Sequence, residues 1–152
     1  MPTSNSSDDR QRSIAQFTQH AIVAGFGVPG RAVYDWADKI QMPVVVIEKN
    51  VRIVERNASS GMMIIHGDVR DESILLQAGI ERAALLALAV PNEPDVLDAV
   101  GMARKLNAAI RIIARCTYVS GGMEAIRRGA NETIVAEEIA AREFLRLLEG
   151  EK

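Results

Sequence analysis

Past His20 the chain alternates short apolar runs with stretches in which apolar residues recur every three or four positions. Short runs rich in Val and Ile suit strands buried on both faces, and the intervening pattern suits helices that lay one face on a sheet. Strands are predicted at Ala21 to Gly25, Val44 to Glu48, Met62 to His66, Ala84 to Ala89, Ile110 to Arg115 and Thr133 to Ala136. Helix starts are marked by Asn50 before Val51, by Asp71 before Glu72, and by Asn92 ahead of Pro94 and Asp95. A short polar side chain at each of these positions can accept an amide that the first helical turn leaves unpaired. From Pro94 to Leu106, Val96, Ala99, Val100, Ala103 and Leu106 share one face while Asp98, Arg104 and Lys105 turn away. Six strands interleaved with six helices predict an α/β fold with a doubly wound, parallel six-stranded sheet.

The two ends read differently from the middle. Met1 to Arg12, with Ser4, Asn5, Ser6, Ser7, Asp8 and Asp9, has too few apolar groups to offset its ordering entropy. Residues 1–19 are therefore expected to form a tail or linker, with a docked helical turn carrying Ile14, Ala15 and Phe17 as the alternative. Residues 20–136 form the folded domain, and 137–152 a separate last helix. On that helix Ala136, Ile139, Ala140, Phe144, Leu145, Leu147 and Leu148 sweep roughly 240° of the circumference, more than one sheet face needs. A second partner is implied, unless the N-terminal segment shields the helix or its end is simply over-apolar.

Composition narrows the function classes. A chain of 152 residues, 48% hydrophobic, fits one domain and leaves no room for a second catalytic one. A net charge of -2 with scattered Lys and Arg argues against nucleic acid as a partner. A lone Cys116 and two His make neither a disulfide nor a metal set, which suits a reducing cytoplasm. No apolar run reaches the 18 residues or so that a membrane span needs.

The candidate chemistry lies where the first strand meets its helix. Ala21 to Ala24 runs into Gly25-Phe26-Gly27-Val28-Pro29-Gly30, followed by Val33, Trp36, Ala37 and Ile40 at helical spacing. In such a Rossmann-like turn the first glycine permits the tight bend, the second lets a phosphate approach the backbone, and the third lets helix and strand pack closely. The helix N-terminus adds unpaired amides and a positive dipole end. Glu48 ends the next strand 18 residues past Gly30, close to the separation expected of a ribose-binding acid. A carboxylate there favours NAD or an adenine nucleotide over NADP, although adjacent Lys49 weakens that preference. After the third strand comes His66-Gly67-Asp68, at the edge where ligands collect in such sheets. Asp68 can meet an adenine amino group or serve as a turn residue for the helix starting near Asp71, and spacing alone leaves both open. His66 reads as a strand-end residue. No His sits beside a Ser or Cys nucleophile with an orienting acid, and no Tyr-x-x-x-Lys pair occurs: Tyr34 is followed four residues on by Asp38, and Tyr118 by Gly122. No catalytic residue is assigned.

With Val45-Val46-Ile47-Glu48, Leu76-Gln77-Ala78-Gly79-Ile80, Arg111-Ile112-Ile113-Ala114-Arg115 and Arg128-Gly129-Ala130 added, residues 20 to 149 resemble the RCK/KTN domain, also called TrkA-N. The resemblance implies a cytoplasmic, ligand-sensing regulatory domain at the inner face of the cell membrane. Members bind NAD(H), AMP, ADP or ATP and regulate potassium channels, potassium uptake systems or Kef-type cation:proton antiporters, in cis or in trans. It also implies a homodimer in which the last helix crosses over to the other subunit. Carried over by position, it places phosphate contacts at Gly25, Gly27, Val28, Pro29 and Gly30, ribose contacts at Glu48, adenine-side contacts at Asp68 and Val69, and Arg115 facing the cleft. The candidate binding set is completed by Phe26, Lys49 and Val90. One departure is Val28, where the family often has a charged or polar residue; a phosphate ligand is lost, and the preference for pyrophosphate over a mononucleotide is left open. The sequence given has no further ligand-binding lobe after Lys152, as in the Kef-type arrangement. The competing readings are a small NAD-dependent oxidoreductase and an interaction module with an empty pocket.

Overall fold

The computed structural model describes residues 7–150. Helix α1 (Ser7–Ala15) precedes six β/α repeats: β1 (Ala21–Ala24), α2 (Val28–Lys39), β2 (Val44–Glu48), α3 (Val51–Ala58), β3 (Ile64–His66), α4 (Glu72–Gln77), β4 (Leu85–Leu88), α5 (Glu93–Leu106), β5 (Arg111–Cys116), α6 (Val119–Arg128), β6 (Glu132–Val135) and α7 (Ala136–Glu149). The strands form one parallel sheet in the order β3-β2-β1-β4-β5-β6. The fold is therefore Rossmann-like, and the order reverses direction between β1 and β4, where doubly wound sheets open a crevice.

Strand alternation divides the core in two. Ile22, Ala24, Val45, Ile47, Leu86, Leu88, Ile112 and Ala114 point to the face covered by α1, α4, α5 and α6. Ala21, Val23, Val44, Val46 and Leu85 point to the other face, which α2 and α3 cover through Ala37 and Val54. On that second face, among the described residues, no helix covers the β5 and β6 side. The result is an apolar groove of about 640 Å³ lined by Val33, Trp36, Ile113, Ile134 and Ile139 among others. Among the described residues no helix is long and apolar enough to cross a membrane.

The three cap residues sit where the pattern puts them. Asn50, Asp71 and Asn92 accept the amides of Arg52, Ser73 and Asp95 through their side chains at 3.0, 3.0 and 3.1 Å. Strand ends shift slightly: β3 begins at Ile64 rather than Met62, and Gly25 leaves β1 with a φ of +90°.

The expected tail over 1–19 is corrected by the structure for residues 7–15, which form α1; Met1 to Ser6 lie outside the described residues. Ile14 is 1% exposed and belongs to the main core. The guanidinium of Arg82 donates to the Phe17 carbonyl at 3.0 Å, and the Gln11 side chain donates to that of Gln77 at 3.1 Å. A mean over the polar segment hides what docks it: one fully buried Ile stabilises by about 1.5–3 kcal/mol, and the hydrogen-bond partners come from far along the chain.

Candidate ligand-binding cleft

A cleft of about 650 Å³ opens at the carboxyl ends of the strands. Its floor is the glycine turn. Gly25 keeps sheet register by donating its amide to Ile47 at 2.9 Å, then turns with positive φ; a Cβ there would lie 3.0 Å from the Ala89 carbonyl carbon and the Val90 amide. Gly30 is the packing glycine: a Cβ would sit 1.8 Å from the Gly25 carbonyl oxygen. Gly27 is different, because nothing lies within 4 Å of where its Cβ would be. It is also the N-cap of α2 and offers no side chain to the first helical amides. The first-turn N–H groups, with Pro29 contributing none, are left without intrahelical partners next to the open space at Gly27, the arrangement that can hold an anion at a helix start.

Phe26 anchors the turn from behind. Its buried ring packs edge-on against Tyr34 at 5.7 Å, and the guanidinium of Arg31 lies 4.8 Å from the ring centre. Its amide donates to Glu48 Oε2 at 2.7 Å, while the Asn50 amide donates to Oε1 at 2.9 Å. Glu48, only 9% exposed, thus ties the tips of β1 and β2 together. An ionised carboxylate has about four acceptor sites, so one on each oxygen remains for a ligand's hydroxyls.

Asp68, at the tip of β3, is held by Arg70. The Arg70 amide and Nε reach Oδ1 at 2.9 and 3.1 Å, and Nη2 reaches Oδ2 at 2.7 Å. These donors hold the Asp68 carboxyl well below the usual carboxylate range. Lys49 Nζ lies 3.6 Å from the same Oδ2, and Arg70 reaches on to Asp95 of α5 at 3.3 Å. Asp68 makes a turn with Arg70 and also lines the cleft. Asp71 is the cap of α4. His66 is an exposed strand end whose Nε2 lies 3.1 Å from the Lys49 carbonyl. Arg115 projects from β5 between the cleft and the apolar groove, with Nη1 3.5 Å from the Val90 carbonyl. It makes no ion pair with another of the described residues.

A family model described as the TrkA-N domain matches residues 21–136, which is nearly all of the sheet and its helices. The chain belongs to the TrkA-N domain family. YbaL of Escherichia coli K12, named as a putative cation/proton antiporter, is 33% identical over 130 residues, covering 86% of this chain and 23% of YbaL. The crystal structure of the TrkA-N domain of that inner membrane protein superposes with a TM-score of 0.83 at 32% identity, over 88% of this chain and 98% of the other. A Shewanella denitrificans Kef C-terminal domain in AMP-bound form shares the fold, with a TM-score of 0.72 at 21% identity over 86% of this chain and 82% of that one. The chain spans less than half the length of the curated relatives it matches.

Of the residues read from the sequence, this TrkA-N domain brings Gly25, Phe26, Gly27, Pro29, Glu48, Lys49, Asp68, Val69, Val90 and Arg115 to one cleft. Two do not line it. The side chain of Val28 is 84% exposed and points away, leaving only its amide for a ligand, and Gly30 supports the turn from within the helix. Sequence reasoning passed over Asp95, Asn92 and Pro91 as wall residues and Arg70 behind Asp68. Asn92 to Asp95 follow β4 at the carboxyl edge, a position that could have flagged them.

Proposed function

We propose that this TrkA-N domain is a regulatory sensor that binds an adenine nucleotide or NAD(H) and passes its occupancy to a membrane cation transporter or channel at the inner face of the membrane. The observation that carries the reading is the pairing of bare amides over open space at Gly27 with a buried carboxylate one strand away at Glu48. Phosphate belongs on the first and ribose on the second. Asp68 and Val69 then face the base, and Arg115 supplies positive charge beside the phosphates. The AMP-bound Kef-type relative supports the ligand class, and the antiporter relative supports a cation:proton exchanger or potassium transport system as the regulated partner. Ligand occupancy regulates only through a difference in affinity between two states, and α7 offers the element that differs. Its Phe144, Leu145, Leu147 and Leu148 are exposed, and the uncovered groove beside Trp36 and Ile113 is apolar. In a homodimer joined through α7, both surfaces are buried.

Titration calorimetry of the purified chain with NAD, NADH, AMP, ADP, ATP and NADP tests this. At least one adenine ligand is expected to bind at millimolar or tighter affinity, and NADP more weakly than NAD because Glu48 repels a 2′-phosphate. Absence of binding by all six would overturn the reading, and a monomer at every concentration in sedimentation would remove the dimer.

A further inference from the structure

Helices α3, α4 and α5 carry their own side-chain caps, but α6 does not: its N-cap residue Tyr118 makes no side-chain bond to the first turn. The amides at that start would go unpaired if nothing else reached them. Two carboxylates from other helices do. Glu93 Oε1, from the first turn of α5, accepts the Thr117 amide at 2.9 Å and the Tyr118 amide at 3.2 Å. Glu137 Oε1, from the first turn of α7, accepts the Val119 amide at 2.8 Å. The Glu137 amide in turn donates to the Thr117 carbonyl at 3.2 Å, so Thr117 is bonded to α5 through its N–H and to α7 through its C=O. Gly121 makes the junction possible. A Cβ there would lie 2.0 Å from Glu93 Oε1, so a residue that weakens a helix leaves the space in which the carboxylate sits.

The first turn of α5 also faces the cleft. Asn92 and Asp95, on either side of Glu93, line it, while Glu93 itself does not. We propose that Glu93, Thr117 and Glu137 form a coupling junction that carries a shift of the cleft wall, made when a nucleotide seats against Asn92 and Asp95, to the base of α7. The partly buried Thr117 amide is unfavourable to leave unpaired. The start of α6 therefore follows α5, and α7 follows the start of α6. The inference rests on the sensor reading above and adds to it a route from the occupied cleft to α7, with Glu93 as its positioning residue.

The test is amide-resolved NMR of the ¹⁵N-labelled full chain titrated with AMP, and in parallel with NAD, on the parent, Glu93→Ala, Glu93→Gln, Gly121→Ala and Glu137→Ala. In the parent, nucleotide is expected to shift Thr117, Tyr118, Val119, Glu138 and Ile139 as well as Phe26 and Gly27. Glu93→Ala removes the acceptor, and Gly121→Ala displaces it with a new Cβ. Both should keep the shifts at Phe26 and Gly27 and lose the distant ones. Gly121→Ala should still fold, because what must yield is the end of a flexible side chain. Glu93→Gln retains an oxygen acceptor and should restore the distant shifts, whereas Glu137→Ala should keep those at Thr117 and Tyr118 and reduce those at Glu138 and Ile139. If the parent shifts only the cleft amides, or if either Glu93→Ala or Gly121→Ala keeps the distant shifts, the coupling role is wrong while nucleotide binding stands. If neither nucleotide shifts any of these amides, both readings fall together.

Discussion

At the scale of single residues, three glycines separated by one or two positions have separate duties, and only Gly27 faces open space. Its φ of -83° with ψ of -160° is extended backbone that any residue adopts. Gly27→Val should therefore fold to within about 1 kcal/mol of the parent and lose nucleotide binding, because the new methyl groups stand where a phosphate would lie. Gly30→Val should instead lose stability on the order of 3 kcal/mol, since even its Cβ would overlap the Gly25 carbonyl. Thermal melts with calorimetry separate the two; equal loss of stability in both would show that Gly27 is a packing glycine as well. The glycine spacing and Glu48 were legible because each duty is local to one strand-to-helix turn. Arg70 was not, because its partner Asp95 lies 25 residues on and meets it only once β3 and α5 are placed. Val28 was assigned a ligand role by position, but its side chain is exposed and does not line the cleft.

At the scale of elements, caps and periodicity were readable and docking was not. Asn50, Asp71 and Asn92 act within three residues of themselves, so the chain announces them. Helix α1 depends on Ile14 and on Arg82, which lies 65 residues beyond Phe17, and local composition is silent about both. The same junction buries His20. Its Nε2 lies 2.8 Å from the Ala78 carbonyl, its Nδ1 has no hydrogen-bond partner, and its ring packs near Phe17. Burial first, and Arg82 second, push its pKa below 6.5, outweighing the bond to Ala78. The folded chain thus holds His20 neutral while the unfolded chain takes up a proton below about pH 6.5. Stability from this group is full above that pH and falls as the pH drops toward the lowered folded value. Melting curves from about pH 7 to pH 5 should show a steeper loss for the parent than for His20→Gln, which retains an N–H donor and cannot titrate. Parallel curves for the two would contradict a buried neutral imidazole.

At the scale of the whole molecule, the sheet order puts every candidate ligand contact at one edge, while the uncovered groove and α7 lie beside it. Arg115 borders both cavities. In the sensor proposed above, a nucleotide phosphate drawing on that guanidinium would change the groove's charged rim and so link cleft occupancy to a partner surface. The doubly wound sheet was legible from alternation alone, since β1, β2 and β4 are buried along their whole length. The lack of cover over β5 and β6 among the described residues was not, because no strand pattern records which face its connecting helices take. The most direct test of nucleotide seating is amide-resolved NMR of the ¹⁵N-labelled chain titrated with AMP. The largest shifts are predicted for the amides of Phe26, Gly27, Val28 and Gly30, with a second group at Lys49, Asn50 and Val69. Shifts confined to α7 and the groove, or none at saturating nucleotide, would contradict the account.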